Sequence, residues 1–150
     1  MTPPKSLPPA PAASNLAVRA VMRGNRGEDT APERALRSEL HRRGLRFRKH
    51  VAPQRGLRCR ADVVFPRQKI AVFVDGCFWH GCPVHGRAPR KNSGYWSSKL
   101  RLNAERDARN DRVLGQAGWR VIRVWEHEDP VETAARIERL VASARATAVV

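Results

Sequence analysis

Two short apolar runs, Ala61–Phe65 and Lys69–Asp75, face each other across Pro66-Arg67-Gln68 in a chain otherwise crowded with charge. Both are rich in β-branched and aromatic residues and have strand length rather than helix length. The Pro-containing break turns the chain, so the two runs form a hairpin. Its inner strand, Ile70-Ala-Val-Phe-Val74, has no polar member and reads as buried on both faces. Such a strand belongs in the middle of a sheet, and the remaining elements have to cover it.

Those elements are legible from their caps and periods. Thr30-Ala-Pro-Glu33 has the capping-box pattern with Pro in the first turn. Leu36, Leu40 and the stop at Gly44 complete a helix of about 12 residues. Leu45–Val51 alternates apolar and basic residues and reads as an edge strand, followed by a basic loop, Ala52–Arg60. Gly76–Tyr95 has no periodicity. Trp96–Ala117 reads as a long helix ended by Gly118, and Trp119–Trp125 as a further strand. Pro130 opens a last helix with Ile137, Leu140, Val141 and Ala144 on one face. The order α, β, β, β, α, β, α predicts an α/β sandwich around a mixed central sheet flanked by helices. The Pro/Ala-rich stretch 1–16 is expected to be a disordered tail, 17–146 a single domain and 147–150 a C-terminal tail.

The charge narrows the partner. Lys and Arg number 29 against 14 acids, a formal net charge of +15. That asks for a polyanion, and nucleic acid ahead of a membrane, because no basic helix carries an aromatic face. No apolar run reaches the ~18–20 residues of a membrane span. The stretch 1–14 lacks the apolar core of a secretory signal. Part of the charge has a plainer reading: most of the basic residues are Arg, and Ala is abundant, as GC-rich coding alone would give. Three cysteines, an odd count, do not make a disulfide framework. A reducing cytosol is expected, with the protein cytoplasmic and nucleoid-associated, and a metal site is open.

Between Leu40 and Ala104 there are only two acids, Asp62 and Asp75, among 15 Lys and Arg. They lie at the start of one hairpin strand and the end of its partner, so they converge on one point. Phosphodiester hydrolysis needs such a point: a hard cation on one or two carboxylates and a backbone carbonyl, with phosphate completing its shell. The same two acids would equally serve as ion-pair partners for abundant Arg.

Cys77-x4-Cys82-x2-His85 lies in the loop just after the hairpin. Its spacing suits one tetrahedral zinc, with His127 as the candidate fourth ligand from beyond the Trp119–Trp125 strand. The alternative is buried free cysteines with surface histidines. His80, beside Trp79, is either a further ligand or a general base or acid. Phe78, Trp79, Tyr95 and Trp96, four of the nine aromatics, sit in polar segments, where they would be exposed and could wedge between base pairs. A small core around the zinc would use them as well.

The run Phe73-Val-Asp-Gly-Cys-Phe-Trp-His-Gly-Cys82, preceded by Ala61-Asp-Val-Val-Phe-Pro66, resembles the very short patch repair (Vsr) DNA mismatch endonucleases. So do Met22-Arg, Asp29-Thr-Ala-Pro-Glu33, Tyr95-Trp96 with Lys99 and Asn103-Ala-Glu-Arg-Asp107, and Gly118-Trp-Arg-Val with Val-Trp-Glu126. The resemblance implies a restriction-endonuclease-like fold and a magnesium-dependent enzyme. That enzyme nicks one strand beside a T:G mismatch left by deamination of 5-methylcytosine. Asp62 would be the magnesium carboxylate, helped by the Val74 carbonyl, with His80 acting at the scissile phosphate and Glu33 supporting the site. Phe78, Trp79 and Trp96 would wedge into DNA, and Lys99, Asn103 and Arg106 would contact it. Cys77, Cys82, His85 and His127 would hold a structural zinc. The chain departs from the best-known members in carrying Asp75 where they have a catalytic His, so Asp75 becomes a candidate second metal carboxylate. It departs too in its Cys/His order, with His127 in place of a Cys. The enzyme is expected to work as a monomer on double-stranded mismatched DNA, with other repair proteins as possible partners. Two other readings stand beside it: a non-catalytic zinc-containing DNA-binding module, and a related nuclease with a different DNA substrate.

Overall fold

A computed structural model of the chain describes residues 29–77, 82–84 and 92–148. The elements are α1 (Ala31–Arg42), β1 (Arg48–Val51), β2 (Ala61–Phe65), β3 (Ile70–Asp75), α2 (Ser93–Gln116), β4 (Arg120–Trp125) and α3 (Pro130–Ala148). The expected order of elements is the observed one. The 1–16 tail and the start of order at Ala17 lie outside the described residues. α3 continues to Ala148, two residues into the stretch expected as a tail.

The four strands lie side by side in chain order. β1, β2 and β3 are antiparallel neighbours, and β4 joins β3 in parallel after the α2 crossover. The sheet is therefore mixed, and β3 has a partner on each edge. Its apolar sequence is explained by this position: Ile70, Ala71 and Val72 are all essentially inaccessible to solvent. Alternation sends Val63, Phe65, Ile70, Val72, Ile122 and Val124 to one face, where Leu36, Leu40, Ile137 and Val141 of α1 and α3 cover them. Val64, Ala71 and Phe73 point the other way and meet Leu114 and Trp119. Each fully buried aliphatic side chain contributes about 1.5–3 kcal/mol, so the α1/α3 side, with the longer list, is the main core.

Two glycines fix where helices hand over to strands. Gly44 (φ +78°) ends α1: its N–H bonds to His41 O at 2.9 Å, and the Leu45 N–H reaches back to Leu40 O at 3.0 Å. Leu45 is thereby turned into the core beside Leu40, and the edge strand starts only at Arg48, three residues later than its alternation suggested. Gly118 (φ +87°) ends α2 in the same way, with the Trp119 N–H bonded to Leu114 O at 2.9 Å. That bond withholds Trp119 from β4, which begins at Arg120. At the other end of α1, Thr30 is the N-cap, and its hydroxyl accepts from the Glu33 N–H at 3.5 Å.

Candidate active site and metal centre

The hairpin register brings Asp62 and the end of β3 together. β2 and β3 pair from Phe65↔Ile70 to Val63↔Val72. One step further a side chain takes over from the backbone: the Val74 N–H donates to Asp62 Oδ2 at 2.7 Å. Strict alternation from Val63 would send Ala61 to the α1 face, yet Ala61 packs in the cluster with Val64 on the α2 face. The alternation of β2 thus breaks at Asp62, and the break frees its carboxylate to meet β3. The convergence expected from the sequence is present. The group of Val74 that engages Asp62 is its N–H; the expectation named its carbonyl.

Three carboxylates are buried at this end of the sheet: Glu33, Asp62 and Asp75. Two of them are neutralised. Glu33 Oε2 accepts from the Asp29 N–H at 2.9 Å and lies 3.5 Å from the guanidinium of Arg37, one helical turn on, which also binds Asp29. Glu33 is therefore both a helix-cap residue and a member of the carboxylate group. Asp75 lies 3.0 Å from Arg123 of β4. Of its two readings, metal carboxylate and Arg partner, the geometry realises the second. Arg123 also holds Asp111 of α2 at 2.8 Å and Asp107 at 3.8 Å, and its guanidinium sits 4.3 Å over the Phe73 ring. Burial works against its charge, but the Asp111 hydrogen bond and the three carboxylates together hold the guanidinium above its usual range.

Asp62 is different. It is 8% exposed and, among the described residues, forms no ion pair. Burial pushes its carboxyl up to about 7; the Val74 N–H opposes the rise, the Glu33 and Asp75 charges add to it, and Arg37 opposes it again. A carboxylate so placed is stabilised as an anion by a cation brought beside it. Hard cations such as magnesium take carboxylate and backbone oxygens, so Asp62 and the backbone beside it could contribute to such a site.

The cysteine cluster is assembled from two loops. The Cys82 N–H bonds to Cys77 O at 2.9 Å, which closes the loop after β3. The Cys77 N–H donates to Glu126 Oε1 at 3.0 Å, and the Glu126 N–H to Asp75 O at 3.0 Å, so the end of β4 is tied to the same loop. His127 Nδ1 then lies 3.1 Å from Cys77 Sγ and 3.7 Å from Cys82 Sγ. Tetrahedral zinc with its ordinary S and N bond lengths sets those atoms about 3.6 Å apart. Among the described residues, Cys77, Cys82 and His127 are the one group of three ligand atoms within 4.8 Å of one another, and they could hold a metal ion. Burial, then the hydrogen bond with Cys82, pushes the Cys77 thiol up to about 11, so a thiolate there needs a cation beside it.

His80, His85, Phe78 and Trp79 lie outside the described residues. Trp96 corrects an expectation. It was expected among the exposed aromatics but is 5% exposed and packs edge-on against Tyr95 with ring centroids 5.1 Å apart. The cause is that α2 begins at Ser93, ahead of both rings, so Trp96 lies on the helix's inward face. Lys99, Asn103 and Arg106 follow on α2 at helical spacing, and Arg106 donates to Asn103 Oδ1 at 3.2 Å. Sequence reasoning missed Arg37, Arg123 and Glu126. The i, i+4 spacing of Glu33 and Arg37 was available as a signal; Arg123 and Glu126 become visible only once β4 is laid beside β3.

Buried acids thus stand at one end of a mixed sheet with a candidate Cys/His metal centre beside them, and comparison with known proteins gives the chain a family. The DNA mismatch endonuclease Vsr family profile matches residues 15–85. The chain is 50% identical over 118 residues to the type II nicking enzyme V.NaeI of Lentzea aerocolonigenes, covering 77% of this chain and 71% of that protein. It is 43% identical over 112 residues to V.XorIIP of Xanthomonas oryzae, covering 73% and 79%. It is 38% identical over 107 residues to the DNA mismatch endonuclease Vsr of Escherichia coli, covering 70% and 66%. The chain belongs to the Vsr family and is a DNA nicking endonuclease of that family. Among the described residues no helix is long and apolar enough to cross a membrane.

The Asp62 environment has a consequence for stability. Its carboxyl titrates near 3.9 in the unfolded chain and near 7 in the folded one. The folded protein therefore holds a proton that the unfolded chain has released, and this contribution is lost as pH rises through about 7. In magnesium-free buffer, raising the pH from 5 to 8 should cost the wild type more stability than Asp62→Asn, by on the order of a few kcal/mol. Parallel denaturation curves against pH for the two proteins would contradict the assignment of Asp62 as the uncompensated acid.

Proposed function

We propose that this enzyme nicks one strand of duplex DNA beside a T:G mismatch left by 5-methylcytosine deamination, by magnesium-dependent hydrolysis, and so initiates very short patch repair. The observation that carries the reading is the buried carboxylate of Asp62, tied to Val74 and left without a counter-charge while its neighbours Glu33 and Asp75 have theirs. The fold in this reading is restriction-endonuclease-like. Asp62 and the Val74 carbonyl hold the magnesium, whose charge offsets that gathering on the attacked phosphate. His80 accepts the proton of the attacking water or delivers one to the leaving oxygen. Glu33, fixed by Arg37, keeps the Asp62 side of the site in place. Asp75 is assigned to Arg123 rather than to metal. Cys77, Cys82 and His127, completed by His85, take a structural zinc that anchors the loop carrying His80.

T:G is chosen in this reading by the ease with which a wobble pair unstacks, with Phe78 and Trp79 as wedges. Trp96, being buried, serves as support rather than as a wedge, and Lys99, Asn103 and Arg106 hold the flanking strand. The identity to the Lentzea nicking enzyme exceeds that to the E. coli protein, which favours a flanking sequence of its own. The test is a strand-resolved nicking assay with magnesium on duplexes differing only in T:G, C:G and T:A. One nick, in the T strand of the T:G duplex, is expected. Equal rates on all three would make this a nuclease indifferent to mismatch; no cleavage would leave only a binding module.

The zinc assignment is checked separately. Metal analysis of the purified protein should find about one zinc per chain, and Cys82→Ser should lose it together with a large part of the thermal stability. Protein that is fully folded and free of zinc would refute the site.

A further inference from the structure

The sheet has a second chemically distinctive end. β1 enters, and the β2–β3 turn lies, at the end away from Asp62, because Arg48 pairs with Val64 and Phe65 with Ile70. Four residues of strand, about 13 Å, separate the two ends. There the chain forms an open cleft of about 700 Å³. Its walls carry four arginines from three separate segments: Arg46 and Arg48 before and in β1, Arg67 in the hairpin turn, and Arg145 in the last turn of α3. Phe47 lines it too, fixed by stacking on His41 at 4.5 Å and by an edge contact with Phe65 at 6.0 Å.

No acid lines this cleft, and none of the four guanidiniums has an ion-pair partner among the described residues. The acids on the neighbouring helices are taken by other arginines: Glu39 pairs with Arg42 at 3.2 Å and Glu138 with Arg43 at 3.6 Å. Four like charges around one concavity repel one another, and an anion placed among them removes that cost. The opening is far larger than a single phosphate. Planar guanidiniums spaced along it suit successive phosphates of a nucleic-acid backbone, each able to take two parallel hydrogen bonds. The cleft opens at the opposite end of β2 from Asp62 and shares no lining residue with the carboxylate group there, so a duplex lying at Asp62 leaves it available.

We infer that this cleft is a second DNA site, which holds the backbone of another duplex segment while the first lies at Asp62. The enzyme would thereby pass directly from one segment to another as it searches for rare lesions. The inference rests on the chain being a DNA nicking endonuclease, and its readout is transfer between duplexes rather than mismatch choice, so the two can fail independently.

The test follows dissociation of the full-length enzyme from a short fluorescent mismatched duplex as unlabelled duplex is added. For the wild type the dissociation rate should rise with competitor concentration, whereas in Arg46→Ala/Arg67→Ala/Arg145→Ala it should be independent of it. The triple Arg→Lys protein should regain the dependence, and single-turnover nicking of the short duplex should stay within about twofold in all three. A wild type without competitor dependence, or an alanine variant that keeps it, would overturn the proposal. So would nicking and short-duplex affinity that fall together in the alanine variant, because the arginines would then belong to the primary surface. Competitor dependence abolished by millimolar inorganic phosphate alone, in both the wild type and the lysine protein, would reduce the cleft to a small-anion site and equally overturn it.

Discussion

The hydrogen bond from the Val74 N–H to the Asp62 carboxylate fixes the geometry on which the rest of the site depends. It exists because β2 breaks its alternation at Asp62, turning a side chain that regular pleating would send elsewhere back onto β3. The bond holds the carboxylate within a buried end of the sheet, where water cannot carry its charge. Around it Arg37 pairs with Glu33 as well as Asp29, and Arg123 with Asp75 as well as Asp107 and Asp111. Among the described residues, what is left is one buried carboxyl, that of Asp62, with no ion-pair partner.

The strand ends connect this centre to its surroundings. Arg123 bridges β3, β4 and α2 through Asp75, Asp107 and Asp111. The α2 helix, which carries Lys99, Asn103 and Arg106, is thus clamped to the strands whose ends form the site. The Glu126 carboxylate receives the Cys77 N–H and its backbone N–H goes to Asp75 O, so the cysteine loop is tied to the ends of β3 and β4 before any metal is considered. The Cys/His cluster then adds a third tie at His127. A charged, proline-rich and arginine-rich chain with a modest core gains order at the site from such point attachments rather than from apolar burial.

Much of this was legible beforehand. The hairpin, the central β3, the helix stops at Gly44 and Gly118 and the α/β layering follow from local pattern, because period, caps and glycine positions are properties of short segments. The meeting of Asp62 with Val74 was legible too, since antiparallel pairing brings a strand start to its partner's end. His127 as a companion of Cys77 and Cys82 followed from β4 lying next to β3. Strand boundaries at Arg48 and Arg120 were not, because the bonds from Leu45 and Trp119 back into the preceding helices leave no trace in hydrophobic alternation. Nor was the fate of Asp75. Its partner Arg123 lies 48 residues away on a parallel neighbour, and 24 arginines offered no way to choose among them. Trp96 was misread as exposed because it stands among small and polar residues, Gly94 and Ser97 being exposed, while the ring itself is buried.

The central claim is that Asp62 carries the cation through which the phosphodiester is cut. The most direct measurement is cleavage of a T:G duplex against magnesium concentration by wild type, Asp62→Asn and Asp75→Asn, with binding to the same duplex measured alongside. Asp62→Asn should bind as the wild type does, since affinity comes mainly from Lys and Arg contacts to phosphate, and should show no cleavage at any magnesium concentration. Asp75→Asn should retain magnesium-dependent nicking at a reduced rate. Magnesium-dependent nicking by Asp62→Asn at a rate near that of the wild type would contradict the account.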